Sequence, residues 1–532
     1  MKQTIQLLLL SAIIAASAFG QSLNTGTFAG TVYDASGAVI PGATVRITSE
    51  NTAFQRETKA DAEGNYQLLQ VPTGTYTIEF EREGFQKSVQ KGVAISAGQN
   101  LRINGTLTLG SVNETVEVEA RVAQVDTTSA NVGATVYGSQ VQELALTTRS
   151  FTQLITLQPG VASNQAQQPG FGSNTSVPFS FNGGQQSSNN WLLDGGRNAD
   201  TYNGNNLTMV NLDAIAEVRI ERNAYSAEYG RNAGAQVNVI TRSGTNQFHG
   251  SVFEFFRNDK LDSRNFFATA KPKNRYNNFG WTLGGPIKQD KVFFFLSNEY
   301  RRIIQTTGTR TSTVPTAGQL AGDFSGGRII NDPLTGQPFP NNRIPVGRLD
   351  PNALALIRGY YAGPTPGFQQ GALNFTSSAP DGTKYRSGLG RVDYNYSPTM
   401  TFFGRYNIDS TRLDSPYGLF AANRMPGVAA SEQAHIMYTA NASMNWTIRP
   451  TLLNQFTMAW YHGSMAISTV PFAARDRVPE FRVPRYFDTE TDSAGFIPGI
   501  SMSAPYAGIS ILWPQNISHY TWELMDNMSW IK

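Results

Sequence analysis

Four histidines, His249, His435, His462 and His519, are the side chains best suited to proton transfer or metal binding in this sequence, and they stand far apart. None opens the His-x-x-Glu pair that a zinc carboxypeptidase needs. Carboxylates are plentiful, yet no spacing singles out an acid–base pair. No Gly-x-Ser-x-Gly elbow offers a serine nucleophile, and no phosphate loop ends in Gly-Lys. There is no cysteine, which removes thiol nucleophiles, zinc–thiolate sites and disulfides together. The expectation is a protein without catalytic residues, cofactor or metal centre. The segment with the most distinct chemistry works through its main chain. Glu114-Thr115-Val116-Glu117-Val118-Glu119-Ala120 alternates side chains as a strand added to a partner's sheet edge would. In that mode main-chain bonds give affinity and alternate side chains give modest specificity. The same run also fits the last strand of a preceding domain, or a linker.

The elements around this segment read as β-structure. The chain has 532 residues, enough for two or three units, with 50 glycines and only 15% charged residues. That mix suits a glycine- and aromatic-rich β protein. A net charge of +3 without a basic run gives no reason to expect nucleic acid. Lys2, the apolar run Leu7 to Ala16 and the small residues around Ala18-Phe19-Gly20 read as an export signal over residues 1–20. No later apolar stretch reaches about 18 residues, so any membrane role falls to strands.

Residues 23–110 carry short alternating runs, Gly30 to Asp34, Ala43 to Ile47 and Gly74 to Ile78, separated by turns at Pro41-Gly42, Glu63-Gly64-Asn65 and Pro72-Thr73-Gly74. This spacing predicts a small β-sandwich. Gly30-x-Val32-x-Asp34-x-x-Gly37, Ile40-Pro41-Gly42-Ala43-x-Val45, Gly64-x-Tyr66 and Gly84-Phe85 resemble a carboxypeptidase regulatory-like domain. The resemblance implies a module that is not itself catalytic.

Residues 111–245 change character. Gln140 to Leu157 has room for two helical turns, and Pro159 to Asn206 is rich in Gln, Asn, Gly and Ser around Trp191-Leu192-Leu193-Asp194-Gly195. Ile215-x-Glu217-Val218-x-Ile220-Glu221 follows, then Tyr229-Gly230-x-x-Ala233-Gly234-x-x-Val237-Asn238-Val239-Ile240-Thr241. This order of motifs resembles the α+β plug domain of TonB-dependent receptors, with Asp194, Gly195, Glu217, Tyr229, Gly230, Gly234 and Asn238 at the matching positions. Many such plugs carry Lys-Gly-Pro where Arg222-Asn223-Ala224 stands here. Together with the first module, this departure points to the Oar-like branch, and no siderophore-binding residues are carried over. Standing just before the plug, Glu114 to Ala120 resembles a TonB box, the segment that pairs with the energy-coupling protein TonB.

Residues 246–532 show the clearest pattern. Ile436, Tyr438, Ala440, Ala442, Met444 and Trp446 alternate with His435, Met437, Thr439, Asn441, Ser443 and Asn445. Similar alternation runs through Met400 to Asp409 and Arg391 to Tyr396. Strands of roughly ten residues with one apolar and one polar face are expected of a transmembrane antiparallel barrel. Tyr396, Trp446, Trp460 and Trp530 are placed at strand ends as an interfacial girdle, and the histidines at polar lumen or loop positions. Short turns at Pro286 to Asp290, Ser397-Pro398-Thr399 and Arg449-Pro450-Thr451 alternate with long loops at Asn258 to Tyr276, Gln305 to Arg386, Arg412 to Gln433 and Ala466 to Asn516. About eight strands are legible, against about 22 in a plugged transporter, so the chain is expected to hold only the first part of a large barrel.

The whole is expected to be dominated by β-structure and sited in the outer membrane, with its first domain periplasmic. The resemblance implies these partners: TonB and its energy-coupling complex, outer-membrane lipid and an unknown nutrient ligand. It also implies uptake in which TonB pulls the box and displaces part of the plug. Amides and aromatics suit carbohydrate or peptide, which makes Gln185, Gln186, Asn189, Asn190 and Trp191 the candidate ligand contacts. The alternative is a surface adhesion or structural protein that docks through the sandwich.

Overall fold

The computed structural model describes residues 24–110, 115–119, 132–144, 146, 149–163, 179–185, 188–199, 208–223, 233–264, 266, 271–306, 308–367, 373–418, 425–427, 430, 431–449, 451–469, 478–482, 499–502, 506–509 and 515–530. The first unit is a sandwich of two sheets. One runs Asn65–Pro72, Thr25–Asp34, Asn100–Arg102, with Gly105–Leu107 also paired to Thr25–Asp34. The other runs Gln55–Lys59, Thr44–Ser49, Gly74–Glu81, Lys87–Ile95, Thr115–Glu119. Alternation puts Val45, Ile47, Ile78 and Phe80 inward against Phe28 and Val32, and this core contains only residues of the sandwich.

The second unit is a mixed five-stranded sheet in the order Val132–Tyr137, Ile215–Asn223, Gln236–Thr241, Asn190–Leu193, Gly196–Arg197. Gln236–Thr241 is buried at every position, as a central strand covered on both faces must be. Two short helices form, Gly138–Glu143 beginning two residues ahead of the stretch expected to be helical and Thr152–Ile155 inside it, and Leu154 and Ile155 enter the core.

The third unit is one antiparallel sheet of eight strands in chain order: His249–Asn258, Asn274–Lys288, Val292–Gln305, Asp381–Ser397, Met400–Ser415, Ser431–Arg449, Leu452–Thr469 and Gln515–Trp530. Its faces are inverted relative to a soluble sheet. On Ser431–Arg449 the polar row is buried, with His435 at 2% exposure, while Ile436 and Trp446 on the other face are each 39% exposed. A soluble sandwich buries its apolar face; a sheet that buries polar side chains and presents aromatics outward is built for lipid.

Three details differ from the sequence expectation. Seven of the eight strands are 14 to 19 residues long, not about ten, because pairing continues past the length a bilayer requires. Trp460 lies in mid-strand, not at a strand end, and its ring sits beside Trp522 at 6.0 Å. His462 is neither in a loop nor in the lumen row: it shares the outer face and stacks on Trp460 and Tyr438. The long loops also build structure of their own. Helix Pro351–Tyr360 packs Tyr360 with Val314, Phe375, Met425, Phe481 and Ile509 into a separate apolar cluster.

Candidate functional site

The buried polar face of the eight-stranded sheet receives the plug, and a hairpin tip makes several of the contacts. Asn190–Leu193 turns into Gly196–Arg197 through Asp194-Gly195, with φ of 49° and 78°. A two-residue turn with both central φ values positive favours Asp-Gly, which explains the pair from local geometry. A Cβ on Gly195 would also meet Asn24 at 2.7 Å.

The turn delivers the Asp194 carboxylate, 1% exposed, between two arginines of the sheet. Arg391 Nη1 lies 3.2 Å from Oδ1 and Arg405 Nε lies 2.8 Å from Oδ2. Arg391 and Arg405 are direct cross-strand partners. Two like charges in that position repel, so the plug carboxylate neutralises a charge pair that the wall cannot satisfy alone. Asp393, 2.7 Å from Arg391, completes a balanced set of two cations and two anions. Thr241 fixes the carboxylate, its N–H donating to Oδ1 at 2.8 Å and its hydroxyl to Oδ2 at 2.9 Å. Asn441 Nδ2 of the wall donates to the Asp194 carbonyl at 2.8 Å.

Other contacts are polar too. Met209 N–H donates to Asp409 at 2.9 Å, Asn211 Nδ2 to Ser297 Oγ at 2.9 Å, and Arg301 Nη2 to the Arg149 carbonyl at 3.0 Å. Among the described residues, apolar contact is made by a few wall residues, Phe295, Tyr385 and Leu389, which join the plug core. A cavity of about 820 Å³ remains where sandwich, plug and sheet meet.

The sandwich is docked on the plug from the other side. Glu217 Oε1 accepts from Ala97 N–H at 2.7 Å, and Arg219 Nη1 donates to the Ala97 carbonyl at 2.5 Å. Burial raises the Glu217 carboxyl above the ordinary carboxylate range, and the Ala97 N–H partly offsets this. Asn24 Nδ2 donates to the Asp194 carbonyl at 2.5 Å, tying the sandwich to the same turn.

Of the plug-motif residues, Asp194, Gly195 and Asn238 gather at this turn, where Gly195 N–H reaches Asn238 Oδ1 at 3.4 Å. Glu217 is at the sandwich contact instead. Gly234 sits where a Cβ would be 2.2 Å from Asn189 Oδ1. Tyr229 and Gly230 lie outside the described residues. The candidate ligand contacts divide. Asn189 is buried, donating to the Phe179 carbonyl at 2.8 Å and accepting from Ala235 N–H at 3.1 Å, and Trp191 is buried in the plug core. Gln185 is exposed and Asn190 half-buried, while Gln186 lies outside the described residues. Thr115 to Glu119 form a strand paired in parallel with Lys87–Ile95 of the sandwich; Glu114 and Ala120 lie outside the described residues. Arg391 and Arg405 are the functional residues that sequence reasoning missed. Both are on the polar row of legible strands, and an arginine on that row in a chain poor in charge is the signal available.

Comparison with known proteins agrees with this arrangement. The outer membrane beta barrel domain family matches residues 240–532, more than half of the chain. The TonB-dependent receptor plug domain family matches 126–237, and the carboxypeptidase regulatory-like domain family 27–108. The TonB-dependent transporter Oar of Myxococcus xanthus is 32% identical over 297 residues, covering 52% of this chain and 27% of that protein. A probable TonB-dependent siderophore receptor, PirA of Acinetobacter baumannii, is 32% identical over 91 residues, 17% of this chain and 11% of that one. Among solved structures, the outer membrane transporter YddB of Escherichia coli aligns with a TM-score of 0.42 at 12% identity, covering 63% of this chain and 39% of that one. The chain thus spans about a quarter or less of the curated relatives it matches. These relatives are transporters and receptors, not enzymes. With the barrel family over most of its length and the plug family directly ahead, this chain belongs to the TonB-dependent receptors of the outer membrane.

Proposed function

We propose that the chain couples and gates energised uptake of a large nutrient ligand, carbohydrate or peptide in class. The observation that carries this reading is the seating of the plug: a polar stopper, held in a polar wall through Asp194, Arg391 and Arg405. Such polar contacts close a path at rest and can be exchanged for water when the plug is displaced, and among the described residues the wall adds Phe295, Tyr385 and Leu389 to the plug core. TonB engages the strand around Val116 and Val118 and draws on the chain that leads into the plug. The exposed Gln185 is the candidate ligand contact the fold leaves at the surface, and the long loops, ordered by the buried cluster around Tyr360, would contribute the rest. The 32% identity to a named TonB-dependent transporter supports the same reading.

The test is growth of the native host on a panel of oligosaccharides and oligopeptides as sole carbon source. A substrate whose use is lost on deleting the gene, on adding a protonophore and on substituting Val116→Pro with Val118→Pro supports energised uptake. Equal growth in the proline variant, with surface display retained, overturns it and favours an adhesive role.

A further inference from the structure

The segment resembling a TonB box does not dangle from the plug. Five residues, Thr115 to Glu119, are hydrogen-bonded in parallel to Lys87–Ile95, in the register Lys87 to Thr115 and Lys91 to Glu119. They form the last strand of the five-stranded sandwich sheet. The chain leading to them is tied to the same module: Gly105–Leu107 pairs with Thr25–Asp34, and Gln86 N–H donates to the Thr108 carbonyl at 2.8 Å. The module is in turn fixed to the plug through Ala97, Glu217 and Arg219.

We infer that the N-terminal sandwich is a strand-receiving latch: the edge of Lys87–Ile95 holds the box by β-augmentation, and TonB engages it only after release. This rests on the reading of residues 114–120 as the TonB box. An unpaired sheet edge accepts an extended segment through its row of N–H and C=O groups, and TonB would use the same mode of recognition. A partner that binds only the released strand sees its affinity reduced by the fraction released. The latch therefore sets how readily the receptor couples. It also gives the first domain a task, because an edge already filled by the chain's own strand is protected from adventitious pairing.

A disulfide across the register tests this. The chain has no cysteine, so Lys91→Cys with Glu119→Cys introduces the only thiols. Neighbouring strands lie about 4.8 Å apart, within the roughly 4.4–6.8 Å Cα separation a disulfide bridges. The probe is the purified periplasmic domain of TonB from the same organism, titrated onto the full chain in detergent. The expected result is an oxidised form, verified by mass spectrometry, that binds at least tenfold more weakly than the same protein after reduction. Unchanged affinity in the oxidised form overturns the latch, because TonB then binds the held strand. Failure of the pair to oxidise, while cysteines across the adjacent strands at Thr44 and Glu81 do, overturns it as well. The box reading is scored separately: if Val116→Pro with Val118→Pro binds TonB as the unaltered chain does, that reading fails whatever the disulfide shows.

Discussion

At the scale of single residues, the plug seat is an electrostatic arrangement that neither side completes alone. Arg391 and Arg405 face each other across adjacent strands, and Asp194 is the carboxylate placed between them. Removing one partner of a buried ion pair costs about 3–5 kcal/mol, because the remaining charge is left without a counter-ion. Asp194→Asn keeps the size and the turn but leaves two guanidinium groups sharing Asp393. The expected outcome is a loss of about 3 kcal/mol in denaturant unfolding of the full chain. Asp194→Asn combined with Arg405→Met, which removes both charges, recovers part of it, since coupled neighbours are not additive. Additive losses in that cycle would show that the two side chains do not interact. Asp194 stood out in the sequence as a position matching the plug motif, and the Asp-Gly turn that places it is local geometry. Its partners lie about two hundred residues away and share no pattern with it, so the ion pair was not legible.

At the scale of elements, alternation was the most readable signal. On Ser431–Arg449 the apolar row read from the sequence is the outward row of the structure, and the polar row is the buried one. The period survives because each residue type must match its medium on both faces at every step. Strand length was not legible, since backbone pairing outside a bilayer needs no apolar side chains. Burial was not legible at Asn189, whose amide meets the Phe179 carbonyl and the Ala235 N–H. A buried amide with main-chain partners looks in sequence like an exposed one. The two faces make a direct comparison possible between neighbours. Ala442 is exposed on the outer row, and Ser443 is buried, sharing a hydrogen bond with Thr457 at 3.0 Å. Ala442→Arg is expected to cost about 2–4 kcal/mol in lipid vesicles, the range for a charge near the bilayer midplane. Ser443→Ala should cost about 1 kcal/mol, a single hydrogen bond. Equal costs by urea unfolding would contradict the assignment of faces.

At the scale of the whole molecule, the three units differ in how their cores are shared. The sandwich core, built on Phe28, Ile47, Ile78 and Phe80, contains only sandwich residues. The plug core takes in Phe295, Tyr385 and Leu389 from the eight-stranded sheet, so plug and sheet have one apolar cluster between them. Among the described residues, the hydrogen bonds between sandwich and plug form a small polar set at Ala97, Glu217, Arg219, Asn24 and Asp194. Cooperative unfolding follows shared burial, because a unit that keeps its own core loses little when its neighbour opens. Residues 24–110 expressed alone are therefore expected to fold, with a sigmoidal urea transition and a slope of about 1 kcal/mol/M or slightly more, as suits a domain of this size. Calorimetry of the full chain in detergent should resolve the same transition separately from a larger one belonging to plug and sheet together. The plug, by contrast, should not fold in isolation, since part of its core and both counter-ions of Asp194 belong to the wall. A single transition for the full chain, or an isolated plug with dispersed and protected amide signals, would reverse that partition and place the cooperative boundary between plug and sheet.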